Sequence, residues 1–180
     1  MNRRGRFARI VLALCLAVGL TVFFSARAMA EADDSEAIVG VVSTFYQNYI
    51  ERITQALDSG EKSGYDFRKQ PEVDAVFVRK IDELFREAEG SEEGLGYDPI
   101  IMGQDFPNRM EYAKPVIKDG SAELIVYRFW GGTVDAPKDA VCVSLAKRDS
   151  GWRITDVIDM QYEETKKECG GQKTGQKISN

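Results

Sequence analysis

The feature that most limits what this chain can become is a change of hydrophobic period. Before residue 97 apolar residues recur at helical spacing, and from Met110 onward they alternate. Ala37 to Leu57 carries Ile38, Val41, Val42, Phe45, Tyr49, Ile53 and Leu57 on one stripe. That is about six turns of helix. Tyr46 and Ile50 widen the stripe, so the helix is expected to lie against a sheet. Residues 31–36 read as a flexible, acidic lead-in with Ser35 as N-cap, and Asp58-Ser59-Gly60 stops the helix. A polar loop over 59–70 follows. Pro71 then fits the first position of a second helix, whose apolar residues Val73, Val76, Phe77, Ile81, Leu84, Phe85 and Ala88 run to Gly90. The charged face between them reads as solvated.

The second half reads as strands. Tyr112 to Lys118 is one, with Pro115 marking an edge or a bulge, and Asp119-Gly120 signals a hairpin. Ala122 to Trp130 is bulky on both faces, with Leu124, Val126 and Trp130 opposing Ile125, Tyr127 and Phe129. After a loop over 131–139, Ala140 to Lys147 turns Val141, Val143 and Leu145 inward. A turn at Arg148–Gly151 leads to Trp152–Met160, where Trp152, Ile154, Ile158 and Met160 share a face broken by Asp156. Helices first and hairpin-linked strands after predict an α+β fold. The expectation is N-terminal helices packed on a curved antiparallel sheet of about four strands. It forms one domain over 37–162, with a flexible tail over 163–180. A middle strand apolar on both faces needs a cover on its far side, either a pocket or a homodimer interface.

The N-terminus has the composition of an export signal. Arg3, Arg4, Arg6 and Arg9 precede an uncharged apolar run from Ile10 to Phe24, and Ala28-Met29-Ala30 supplies the cleavage pattern. The run is shorter than the ~20 residues that span a bilayer. The expectation is therefore a bacterial protein, cleaved after Ala30, periplasmic or secreted, with no stable membrane anchor. Cleavage leaves 150 residues with 19 basic and 29 acidic side chains, a net charge of −10. Such a charge disfavours nucleic acid and anionic lipid as partners. Cys142 and Cys169 remain, either as a disulfide suited to an oxidising compartment or as a buried thiol and an unpaired one.

The chain has no histidine. This removes the commonest general base, the Ser-His and Cys-His pairs, and the usual zinc and copper ligand sets. No glycine-rich phosphate loop follows a strand, so neither cofactor nor metal is expected. Chemistry would have to come from the least generic stretch, Tyr97 to Pro107. There Asp105 is the candidate base, with Tyr46 or Tyr97 as donor and its acidity tuned by apolar neighbours. Asp98, Gln104 and Asp105, with Tyr127, form a candidate ligand-binding set, although their spacing matches no calcium loop. The bland alternative is architectural: Asp98 caps the turn begun by Pro99, and Gln104 and Asp105 satisfy backbone groups. Asp before Pro at a turn is so often a local cap that the architectural reading is the expectation.

Phe45-Tyr46-Gln47-Asn48-Tyr49, Tyr97-Asp98-Pro99 followed by Gly103-Gln104-Asp105, and Gly151-Trp152-Arg153-Ile154 occur in that order. Over roughly 37–161 the chain thereby resembles exported bacterial domains of unknown function with a nuclear-transport-factor-2-like (cystatin-like) fold. The resemblance implies a long helix in the concavity of a bent sheet, and no activity, because that fold hosts isomerases, dehydratases and binding modules. The functional expectation is an exported, non-catalytic module that binds an unknown small ligand or a periplasmic protein. A lyase or isomerase using Asp105 with a tyrosine is one alternative, and an immunity or inhibitor protein is another.

Overall fold

The apolar stripe ahead of residue 60 forms helix α1, residues 34–59. It belongs to a computed structural model describing residues 34–60, 66–91, 94–130, 139–160 and Cys169. The leader over 1–30, the loop over 131–138 and the tail over 163–180 other than Cys169 lie outside the described residues. Residues 34–36 are helical, so Ser35 lies inside α1 and is not its cap; Asp34 and Glu36 suit the positive end of the helix. Ile38, Val42, Phe45, Tyr46 and Tyr49 are buried. Leu57, placed on the same stripe by spacing, is 67% exposed, so the buried face of α1 does not extend to its last turn.

Helix α2 spans Ala75–Ala88 and starts four residues later than Pro71 would allow. The reason is a competing backbone pairing. Glu72 accepts from Ile154 N–H, and Asp74 N–H donates to Ile154 O, at 2.8 and 2.9 Å. Residues 72–74 are therefore held extended, and the helix begins at the next cap. Asp74 is that cap, its Oδ1 accepting from Val76 N–H at 2.9 Å. Phe77 and Ile81 are buried, while Val76 and Phe85 stay over two-fifths exposed. A short 3-10 turn, Phe67–Lys69, precedes α2 within the segment expected to be loop, and buries Phe67.

The sheet has five antiparallel strands: β1 Arg109–Tyr112, β2 Val116–Lys118, β3 Ser121–Phe129, β4 Asp139–Arg148 and β5 Gly151–Asp159. Their order is β1-β3-β4-β5, with β2 also paired to β3. The single strand anticipated over 112–118 is thus two, broken at residues 113–115 around Pro115, which has no N–H for the ladder. The β2–β3 hairpin turns through Asp119 and Gly120 at φ of 48° and 74°. Two positive values in succession are what a tight two-residue hairpin requires, hence Asp-Gly.

Both helices pack on one face of the sheet. Leu124, Val126, Val141, Val143, Leu145, Trp152 and Ile154 meet them there in the main core. Strand β5 does not keep one alternation throughout. Ser144 pairs with Asp156 but Leu145 with Ile154, so Thr155 is an extra residue, and its hydroxyl donates to Ser144 O at 3.1 Å. A bulge of one residue moves every later side chain to the opposite face. Val157 therefore joins Trp152 and Ile154 in the core, Ile158 is only half-buried, and Met160 goes to the other side. The shared face expected of Trp152, Ile154, Ile158 and Met160 does not form.

On the outer face a second cluster gathers Ile125, Ala140, Cys142, Met160 and Cys169, with Ala113 and Tyr127 against it. Cys142 and Cys169 are joined by a disulfide, with Cα atoms 5.9 Å apart. Part of the cover for the two-sided β3 is thus a tail residue from this same chain.

Candidate functional site

Between α2 and β1 the chain closes a small loop. Asp98 N–H donates to Gly103 O at 2.8 Å and Gly103 N–H to Asp98 O at 3.3 Å. Pro99 cannot donate, so the turn inside it relies on the Asp98 side chain. Asp98 Oδ1 accepts from the amides of Ile100 and Ile101, at 2.8 and 3.2 Å. Its other oxygen accepts from the Tyr49 hydroxyl on α1. Tyr46, one turn earlier, donates to Ile100 O at 3.2 Å. Ile100 and Ile101 are buried in the core between these anchors. Asp98 is accordingly a cap whose acceptor capacity is taken up by the chain itself.

From the sheet side the loop is held by Arg128. Its guanidinium is 1% exposed and donates to Ile101 O and to Met102 O, the latter at 2.9 Å. Met102 has a left-handed φ of 52°. Such a conformation costs a non-glycine residue about 1–2 kcal/mol, and the bond from Arg128 to its carbonyl holds it in place. The other edge of the guanidinium bonds Asp139 at the start of β4, with Asp159 at the end of β5 3.7 Å away. The Trp130 ring lies 5.3 Å from it. Arg128 Nε is buried without a hydrogen-bond partner among the described residues. One buried cation thus gathers a loop and the ends of two strands.

The remaining candidates do not converge. Asp105 and Gln104 are exposed, and Gln104 donates its amide to Gly96 O at 3.0 Å, which fastens the preceding turn. Tyr97 is 39% exposed. Tyr127 lies half-buried on the outer face, away from this loop. Tyr46 is fully buried, and burial pushes its hydroxyl far above the usual tyrosine value, with Arg128 pulling only part of the way back. Tyr46 is buried and lines a groove beside α1 that Asp105 does not line, so the structure does not bring that pair together.

Glu123 has a carboxylate oxygen within 4.8 Å of the sulfurs of Cys142 and Cys169. Both sulfurs are in the disulfide, so they are not metal ligands in this state.

A concavity does exist, one element away. Between α1 and the entry to β1 runs a groove of about 460 Å³. Its α1 wall is Ser43, Tyr46, Gln47, Ile50 and Glu51, and its β1 wall runs from Pro107 through Met110 to Tyr112. Neither Asp105 nor Tyr97 lines it. Tyr112 donates weakly to Met110 Sδ at 3.9 Å, and burial pushes its hydroxyl up to about 12. Both tyrosines on this groove therefore stay protonated at neutral pH and serve as hydrogen-bonding groups.

The chain matches no known family, curated protein or solved structure. Sequence reasoning passed over most of the groove, because Gln47, Glu51, Asn108 and Arg109 are unremarkable residues made neighbours only by packing. Arg128 carried a signal that could have been used: it alternates with Leu124 and Val126 on β3, an inward charge that demands partners.

Proposed function

We propose that this protein is an exported, non-catalytic binding module of cystatin-like architecture whose ligand occupies the groove between α1 and β1. Export rests on the basic, apolar and small-residue pattern of the first thirty residues. The fold assignment rests on the order of helices and strands and on the Asp-Pro and Gly-Gln-Asp phrases. The observation that carries the binding reading is the division of labour between two neighbouring places. The polar groups of the Asp98–Gly103 loop are engaged in holding the loop, whereas the groove presents mixed apolar and polar walls from two rigid elements. Two protonated tyrosines, with no histidine in the chain and a lining carboxylate, Glu51, that already accepts from Gln55 at 3.0 Å, suit recognition better than proton transfer.

The test is amide and side-chain NMR of the protein, purified as the producing cell processes it, against small metabolites, cell-wall fragments and lipids. A ligand should shift resonances at Gln47, Glu51, Met110 and Tyr112 together. Shifts confined to Tyr97 and Asp105, or none across the panels, would remove the basis of the proposal.

A further inference from the structure

Strand β1 forms an edge of the sheet, and its backbone shows which groups are free. Ala113 N–H donates to Ile125 O at 2.9 Å, in register with Arg109↔Phe129 and Glu111↔Tyr127. In an antiparallel ladder hydrogen-bonded and non-bonded pairs alternate. Residues 109, 111 and 113 therefore turn their backbone groups toward β3, while Met110 and Tyr112 turn theirs outward. Among the described residues β1 is paired with β3 alone, so these outward groups have no strand partner. An open edge of this kind is a template for another strand.

The side chains select which strand fits. Met110 and Tyr112 point to the helix side, into the main core. Arg109 and Glu111 point to the outer face, about half exposed, and pair with each other along the strand at 3.2 Å. Consider a second β1 laid antiparallel on the first. Only outward-facing residues can make the new hydrogen bonds, so the registers open to it differ by two residues. With Met110 opposite itself, Arg109 of each copy stands directly across from Glu111 of the other. Moving one step either way sets Arg109 against Arg109 or Glu111 against Glu111, and like charges directly opposite are destabilising. The strand is thus charge-complementary to itself in one register. Pro107 and Pro115 bound the run, which keeps the pairing short, and a two-fold contact closes after two copies.

We propose that the protein self-associates through β1, Met110 against Met110, as a two-fold dimer with one continuous sheet. Directly opposed residues of an antiparallel pair share a face, so both α1 helices lie on the same side. The two grooves then meet across the paired strands as one trough with a helix on each bank. Each copy completes the wall that the other lacks. Arg109 also borders the groove, but the pairing is read from the oligomeric state without a ligand, so it can fail while the binding reading stands.

The test is sedimentation velocity over a concentration series, on protein purified as the cell processes it. The expected result is a concentration-dependent dimer. Arg109→Glu or Glu111→Arg alone should weaken it about tenfold or more, since each dimer holds two such pairs, and the double swap should restore it to within about threefold. Both sites are exposed, and circular dichroism checks that each variant folds. As a second measurement, Met110→Cys should form an intermolecular disulfide, because the opposed Cα atoms would sit about 5.5 Å apart, within disulfide range. A monomer at every concentration, a double swap no better than the single ones, or no covalent dimer from Met110→Cys would overturn the proposal.

Discussion

Replacing Arg128 by methionine keeps most of the side chain's length and removes the buried charge to which Ile101, Met102, Asp139 and Asp159 are turned. The arginine side chain is 1% exposed, and its acidic partners are 21% and 11% exposed. Removing one member of a buried pair costs about 3–5 kcal/mol, mostly because the remaining charge is stranded. Here Asp139 reaches solvent enough to recover some hydration, so the lower half of that range, ~3 kcal/mol, is the expectation for Arg128→Met. Urea unfolding at neutral pH, read as a shift in midpoint at constant slope, measures it. Adding Asp139→Asn and Asp159→Asn should recover a large part of the loss, since neutral amides no longer leave a charge unpaired. Hydrogen exchange at the amides of Ile100 and Ile101 should accelerate in Arg128→Met, because the loop they close loses its anchor on the sheet. A loss below about 1 kcal/mol, a value typical of an exposed pair, would refute the account of Arg128 as a buried hub.

Three further perturbations act on other joints. The Arg148 guanidinium, and then the Val76 amide, hold the Asp74 carboxyl below its ordinary value. Stability from this group is present above the unfolded-state value and is lost as pH falls through the depressed folded one. Asp74→Ala should therefore flatten the acid limb of a stability-against-pH curve, and at neutral pH cost about 1 kcal/mol for the cap. Burial raises Tyr112 to about 12. That contribution is intact below the unfolded value near 10 and fades as pH rises toward 12, so Tyr112→Phe should retain more stability under alkali, followed by tyrosinate absorbance and circular dichroism. Reducing the Cys142–Cys169 bridge, 27 residues apart in sequence, should cost about 3–4 kcal/mol by loop-closure entropy; a melting temperature unchanged by reductant would contradict this.

The legible parts of the fold were those fixed by short-range rules. The α1 stripe, the Asp119-Gly120 hairpin and the inward Val141, Val143 and Leu145 follow from spacing and backbone preference within a few residues. The misread parts depend on a partner. Pro71 looked like a helix start, but residues 72–74 pair with Ile154, some eighty positions away. Unbroken alternation puts Ile158 on the face of Trp152 and Ile154, and only the β4 ladder reveals that Thr155 is extra. At the site, Asp98 was recognisable as a cap from Asp-Pro alone. The isolation of Asp105 and the groove between α1 and β1 were not recognisable, because both are set by how a helix and a strand far apart in sequence lie against each other.

The disulfide gives the two faces of the sheet different conditions for completion. The helix-side core closes through side chains that are apolar in any compartment. The outer cluster gains Cys169 as a fixed neighbour only when two electrons leave the thiol pair. Completion of the two faces therefore depends on different chemistry: one needs only apolar burial, the other also needs oxidation. The surface over Ile125 and Tyr127 thus carries a redox condition that the helix-side core does not.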